Sequence, residues 1–450
     1  MKCLTWKSLT RRLVLCSLIV AVSCVVRAGE LPQAAPESQG VSPTKLAAAE
    51  KAVKELVDQK EYAGAVTLVA RNGKIVEWQA VGLRDLATNK PMQKDTIVRI
   101  YSMTKPITTV AAMILNEEGK FQLDDPVSKY LPELKSLRVY AGPDKTEPAR
   151  REITIRDLMR HTSGFTYGLF GDSAVDKMYM SKGVLGRSQN LQEFVSRLST
   201  LPLKYQPGTK FNYSVSTDVL GRLVEVTSGQ TLDAFFAERI FKPLDMVDSG
   251  FFVPADKVDR FSVNYGPERS GSGLRVVDGA ENSALYLKLP KFLSGGGGMV
   301  STTRDYARFC QMMLNGGELE GTRILKAETV AQMTRNQLPP EALPMSMPSL
   351  MSVPDKSLGF GLGFGVRTSP SASDPSVIPG EYFWGGYAST GFIICPRDKS
   401  VIISMAQYLP LKTKLADTFK RGADAAIEST NGHAPKRIYK AFRLSPQLEK

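Results

Sequence analysis

Histidine is almost missing from this chain: two residues in 450, His161 and His433. A serine enzyme built on imidazole would need one of them as its base. His161 closes a helical stretch just before Thr162-Ser163-Gly164, where a structural capping contact is expected, and His433 lies in a polar tail. Cysteine is scarce too, and three of the five (Cys3, Cys16, Cys24) fall within the first 28 residues. The remaining Cys310 and Cys395 sit in apolar settings, as buried free thiols do. No cysteine or histidine cluster has metal-ligand spacing, so no metal is expected. The G-x-S-x-G elbow is absent, which removes the α/β-hydrolase route. The run Gly295-Gly296-Gly297-Gly298 lacks the lysine of a phosphate loop, so it reads as a tight loop beside a cleft and implies no cofactor.

Long hydrophobic runs are also missing. Leu13 to Val26 falls short of the about 20 apolar residues of a membrane span. It follows Lys2, Lys7, Arg11 and Arg12 and ends at Val26-Arg27-Ala28, the pattern of an export signal over residues 1–28. Ala21-Val22-Ser23-Cys24 is similar to a lipoprotein cleavage box and Thr10-Arg11-Arg12 to a twin-arginine signal, so both variants stay open. The expected location is periplasmic, envelope-associated or extracellular, with no stable membrane span after processing. The formal charge of +13 includes five basic and no acidic residues in this leader, leaving +8 for the rest. No basic stripe is interleaved with aromatics, so nucleic acid is not an expected partner.

After an N-terminal arm at 29–42, Ser42 is placed to cap a helix bearing Leu46, Val53 and Leu56. Two β-rich runs, Gly64 to Ala70 and Lys74 to Trp78, flank Arg71-Asn72-Gly73 and predict a hairpin. Helical patterns dominate 120–290, including Asp218 to Glu225 and Leu232 to Ile240. A helix over Arg304 to Leu314, capped by Ser301 or Thr302, precedes strand-like runs at Gly359 to Val366, Gly391 to Cys395 and Val401 to Ala406. Residues 339–357 and 368–380 read as loops. The expected fold is α+β. One sheet domain, mainly antiparallel and flanked by helices, is formed from 43–119 and 291–430, a mainly helical domain from 120–290 is inserted, and a tail follows at 431–450.

Ser102 and Lys105 stand three residues apart where a helix with the stripe Met103, Ile107, Val110 and Ile114 begins. That spacing puts a hydroxyl and an amine on one face, and Pro106 fits only the first turn. S-x-x-K alone is weak, since about two occur by chance at this length; Ser42-Pro43-Thr44-Lys45 is one, explained by capping. Around Ser102 the setting is apolar, and burial is what brings a lysine towards neutrality and makes it a base for serine.

The chain here resembles the serine β-lactamase and penicillin-recognising family, in its class C-like branch with the related esterases. The likeness continues through Gly119-Lys120-Phe121-Gln122-Leu123-Asp124-Asp125-Pro126, Leu158-Met159-Arg160-His161-Thr162-Ser163-Gly164, Pro207-Gly208-Thr209-Lys210-Phe211-Asn212-Tyr213-Ser214 and Gly297-Gly298-Met299-Val300-Ser301-Thr302. It covers roughly residues 35–430 in consistent order. The resemblance implies a β-lactamase/transpeptidase-like fold, Ser102 as nucleophile, and Lys105 with Tyr213 as proton-handling pair. The family's Y-x-N motif is here Tyr213-Ser214-Val215, so the tyrosine role carries over and the asparagine role does not. Asp218 is a candidate for the missing polar contact.

The family's K-T-G motif is matched by Trp384-Gly385-Gly386-Tyr387, similar to its esterase members. That match implies a substrate wall of Trp384, Gly385 and Gly386, and an oxyanion hole from the Ser102 and Tyr387 N–H groups. With the K-T-G cation and the Y-x-N asparagine both absent, the expected substrate is a small carboxylic ester, ahead of an amide. A β-lactamase or D-alanyl-D-alanine carboxypeptidase and an acyltransferase remain alternatives. So does a catalytically idle cell-wall binding module, against which retention of Ser102, Lys105 and Tyr213 together argues.

Overall fold

Asn72 and Gly73 both take positive φ (53° and 76°), the conformation a two-residue hairpin turn demands. They join β1 (Gly64–Arg71) to β2 (Lys74–Asp85), and Lys90–Pro91 adds a short β3. In the computed structural model, which describes residues 29–269, 273–345, 357–370 and 378–428, this hairpin is one end of an eight-stranded antiparallel sheet. The others are β4 (Leu358–Phe360), β5 (Gly365–Arg367), β6 (Tyr382–Gly386), β7 (Thr390–Cys395) and β8 (Ser400–Ala406), in spatial order β4-β5-β6-β7-β8-β1-β2-β3. The central β1–β8 pairing runs from Ala65↔Ala406 to Arg71↔Ser400, so the two ends of the chain close one sheet. The leader, the tail with His433, and parts of both expected loops lie outside the described residues.

Two details differ from the sequence reading. The run Gly359 to Val366 is two strands, because Gly363 turns the chain at φ +84°. Trp384-Gly385-Gly386, which lies outside the strand-like runs expected from sequence, is itself the end of β6. β5 pairs with β6 only at Gly365↔Phe383 and Val366↔Tyr382, so beyond Phe383 that edge of β6 meets no strand among the described residues.

Helices cover both faces. α1 (Pro43–Asp58), its N-terminus capped by Ser42, and α5 (Lys414–Glu428) pack together over Ala65, Val69, Ile402 and Ala406. On the other face lie α2 (Thr104–Glu117) and α4 (Thr303–Leu314), the latter capped by Thr302 Oγ1 accepting from Asp305 N. α3 (Ser216–Ser228) packs against α2. Between residues 120 and 290 the helices are joined by two hairpins, Arg138–Gly142 with Lys145–Pro148 and Asn264–Pro267 with Leu274–Asp278. Among the described residues no helix is long and apolar enough to cross a membrane.

Twelve of the fourteen residues of α2 are buried, Lys105 among them. A helix enclosed all round holds its place by packing, so Ile107, fully buried one turn beyond Ser102, fixes the whole element. Ile107→Ala is expected to lower the unfolding free energy by about 2–5 kcal/mol, read from urea denaturation of the purified protein.

Candidate active site

The turn Tyr101–Met103 presents Ser102 at the start of α2, where unpaired N–H groups and the helix dipole favour developing negative charge. Tyr101 adopts φ +41°, an unfavourable value for a bulky residue. The surroundings hold it there. Val98–Arg99 pair with Val300–Ser301, Ile100 N donates to Met299 O (3.0 Å), and the Tyr306 hydroxyl donates to Met103 O (2.8 Å).

Lys105 is fully buried, and its Nζ makes three contacts: Gly296 O at 2.6 Å, the Tyr167 hydroxyl at 2.8 Å and Ser102 Oγ at 3.3 Å. An uncharged amine has two N–H bonds and one lone pair. The Gly296 carbonyl can only accept and Tyr167 takes the second N–H, which leaves the lone pair for the Ser102 hydroxyl. Burial pulls the Lys105 pKa down to about 7, partly opposed by the buried carboxylate of Asp218. At neutral pH a large fraction of Lys105 is therefore a free base.

From the other side the Tyr213 hydroxyl donates to Ser102 Oγ at 2.7 Å. Burial raises the Tyr213 pKa well above the ordinary phenol range, so it stays protonated. One buried group is pushed towards the base form and its neighbour towards the acid form, on opposite sides of one hydroxyl.

Asp218, on α3, does not touch Lys105. Its Oδ1 accepts from Gly296 N (3.0 Å) and Ser294 Oγ (2.5 Å), which fixes the loop whose Gly296 carbonyl receives the lysine. That loop needs glycine: a Cβ on Gly296 would lie 2.6 Å from Asp218 Oδ2 and 2.9 Å from the Tyr167 hydroxyl. The tight loop beside a cleft is thus a clamp on the amine. Tyr167 itself went unnoticed in the sequence. It stands three residues after His161-Thr162-Ser163-Gly164, in a segment with no periodicity to mark it.

His161 does not act on Ser102. Its backbone, at φ +56°, ends the helix Ile155–Met159, while its buried ring sits 4.9 Å from the Tyr213 ring and its Nδ1 3.4 Å from Ser214 Oγ. Burial and the nearby Lys105 hold its pKa well below the usual histidine value, so the ring is a neutral spacer.

The opposite wall is the free edge of β6. Trp384 is buried, its ring 5.5 Å from that of Tyr213. A Cβ on Gly386 would lie 2.2 Å from Ile100 O, so only glycine lets β6 lie against the Ser102 turn. Tyr387 follows, its ring 6.3 Å from Tyr101, and Ser102, Trp384, Gly385, Gly386 and Tyr387 line one cavity. Two cations line it as well, and both are engaged: Lys412 with Glu61 (2.7 Å), and Lys420 with Glu381 (3.2 Å) and Asp424 (2.5 Å). Cys310 and Cys395 are buried free thiols, and no group of three metal-ligating side chains occurs among the described residues.

Comparison with known proteins agrees with this geometry. The family model described as Beta-lactamase matches residues 49–427. An uncharacterized protein of Mycobacterium tuberculosis is 36% identical over 366 residues, covering 80% of this chain and 89% of its own. Esterase EstB of Burkholderia gladioli is 32% identical over 365 residues, covering 77% of this chain and 86% of EstB. Among solved structures, simvastatin synthase (LovD) from Aspergillus terreus shares the fold with a TM-score of 0.75 at 23% identity, over 86% of this chain and 99% of that one.

Gly386→Ala should separate β6 from the Ser102 turn and cost about 100- to 1,000-fold in kcat, as loss of one oxyanion donor does. Turnover of an activated ester by wild type and variant, at matched thermal stability, checks this.

Proposed function

This chain belongs to the beta-lactamase family and is a serine hydrolase, and from that membership we propose that it cleaves carboxylic esters through an acyl-enzyme on Ser102. The observation that carries the proposal is the placing of Ser102 Oγ between a buried amine with a pKa of about 7 and a protonated phenol. Lys105 takes the Ser102 proton as Oγ attacks the ester carbonyl. The N–H groups of Ser102 and Tyr387 receive the oxyanion. Collapse breaks the bond to the alcohol, which leaves with a proton from Tyr213, and the Lys105 ammonium passes its proton to the phenolate, which resets the pair. Water then repeats the cycle on the acyl-serine, releasing the acid and restoring Ser102.

Esters are favoured over β-lactams because Trp384 stands where a lysine would greet a carboxylate, and because the cavity's own lysines are held in ion pairs. EstB, named an esterase, supports the same choice. Export to the periplasm or beyond is part of the proposal and rests on the leader at 1–28.

Purified protein is expected to hydrolyse p-nitrophenyl butyrate, with Ser102→Ala reducing the rate by about a thousandfold or more. A chromogenic cephalosporin turned over with comparable kcat/KM would instead establish a β-lactamase.

Because Lys105 must be uncharged to act, kcat/KM should rise with pH through an apparent pKa of about 7. The negative charge of Asp218 favours the ammonium form, so removing it lets the amine lose its proton more readily. Asp218→Asn, which keeps an acceptor for Gly296 N, should therefore move this acid limb to lower pH, measured as a kcat/KM profile.

A further inference from the structure

The cavity at Ser102 does not stop at the nucleophile. It passes over the free edge of β6 onto the opposite face of the sheet, the face that carries α5. Cross-strand register explains how. Gly385 on β6 is directly opposite Gly391 on β7, which is opposite Ser404 on β8, so two side chains are missing and the third is small along one row. The adjoining row on the same face is Phe383, Ile393 and Ile402, again direct cross-strand partners. Above them, α5 brings Ala416. α5 seals β8, whose residues are all buried, while Phe383, Gly385, Gly391 and Ile393 stay partly open.

The result is a trough with a glycine floor, an aliphatic and aromatic wall and a helical roof. From Gly385 to Ser404 it spans two strand spacings, roughly 10 Å, and adjacent rows are about 7 Å apart. Such a slot is long and narrow. It suits a straight hydrocarbon chain. The charged residues of the roof are engaged: Lys420, on α5, is paired with Glu381 next to the start of β6, and Asp417 accepts from Thr413 Oγ1 at 2.9 Å.

We propose that the trough binds an unbranched alkyl chain of the ester, which makes medium-chain linear esters the preferred substrates. The inference rests on the ester-hydrolase reading above and adds the substrate class. Gly391 is the position that decides it. Its backbone is ordinary extended strand, and an added Cβ would meet only Trp384 O, at 3.8 Å, so a side chain there fills the floor without straining the strand.

Two substrate pairs locate the chain. p-Nitrophenyl octanoate against acetate places it on the acyl side; octyl acetate against ethyl acetate, followed by pH-stat, places it on the alcohol side. The wild type should prefer the longer member of at least one pair. In Gly391→Val the long-to-short ratio of kcat/KM for that pair should fall about tenfold or more, the discrimination expected when several methylenes lose their pocket. Ala416→Phe, entering from the helical roof, should lower the same ratio and decides the matter if the strand variant does not fold. A wild type without chain preference, or ratios unmoved in a folded variant, would overturn the trough while leaving ester hydrolysis intact. A wild type inert towards all four esters would overturn the ester-hydrolase reading and the trough with it.

Discussion

A lysine amine taken wholly out of water is the constraint around which this site is built. Desolvating an ammonium is costly, and the protein responds by letting the proton go. What remains is a neutral amine whose polar contacts must still be met, and each comes from a different part of the chain. Gly296 supplies a carbonyl, Tyr167 a hydroxyl and Ser102 the proton to be removed. The carbonyl is in turn held by Asp218, from a helix that contributes nothing else polar to the amine. A side chain on Gly296 would undo the arrangement from within.

The aromatic residues do a second job that histidine usually does. In an imidazole-based site one ring both accepts the proton and returns it. In the proposed mechanism the two tasks are divided between an amine and a phenol, and the rings of Tyr167, Phe170, Tyr213 and Trp384 pack around them. His161, buried 4.9 Å from Tyr213, is present as a shape and not as a titrating group.

Much of this was legible in the residues. The Asn72-Gly73 turn, the Ser42 and Thr302 caps and the stripe along α2 are local signals, and local signals survive into the structure because short-range hydrogen bonds and packing dictate them. Ser102, Lys105 and Tyr213 were found through spacing and family likeness, and they converge on one hydroxyl. Tyr167 was not legible, because its importance arises from a contact 62 residues away in sequence. The division of Gly359 to Val366 was missed for a similar reason: an apolar run with scattered glycines reads equally well as one strand or two, and the backbone angle at Gly363 chooses. The role of Trp384-Gly385-Gly386 as an unpaired strand edge depends on where β5 stops pairing, which no pattern in β6 announces.

The join between β1 and β8 brings together residues 65 and 406, and the turn bearing Ser102 leans on Gly386. Nucleophile and facing wall are thus synthesised far apart in time, with the clamp residues emerging between them. A chain that stops before β6 therefore has the Ser102 turn but not the wall that faces it.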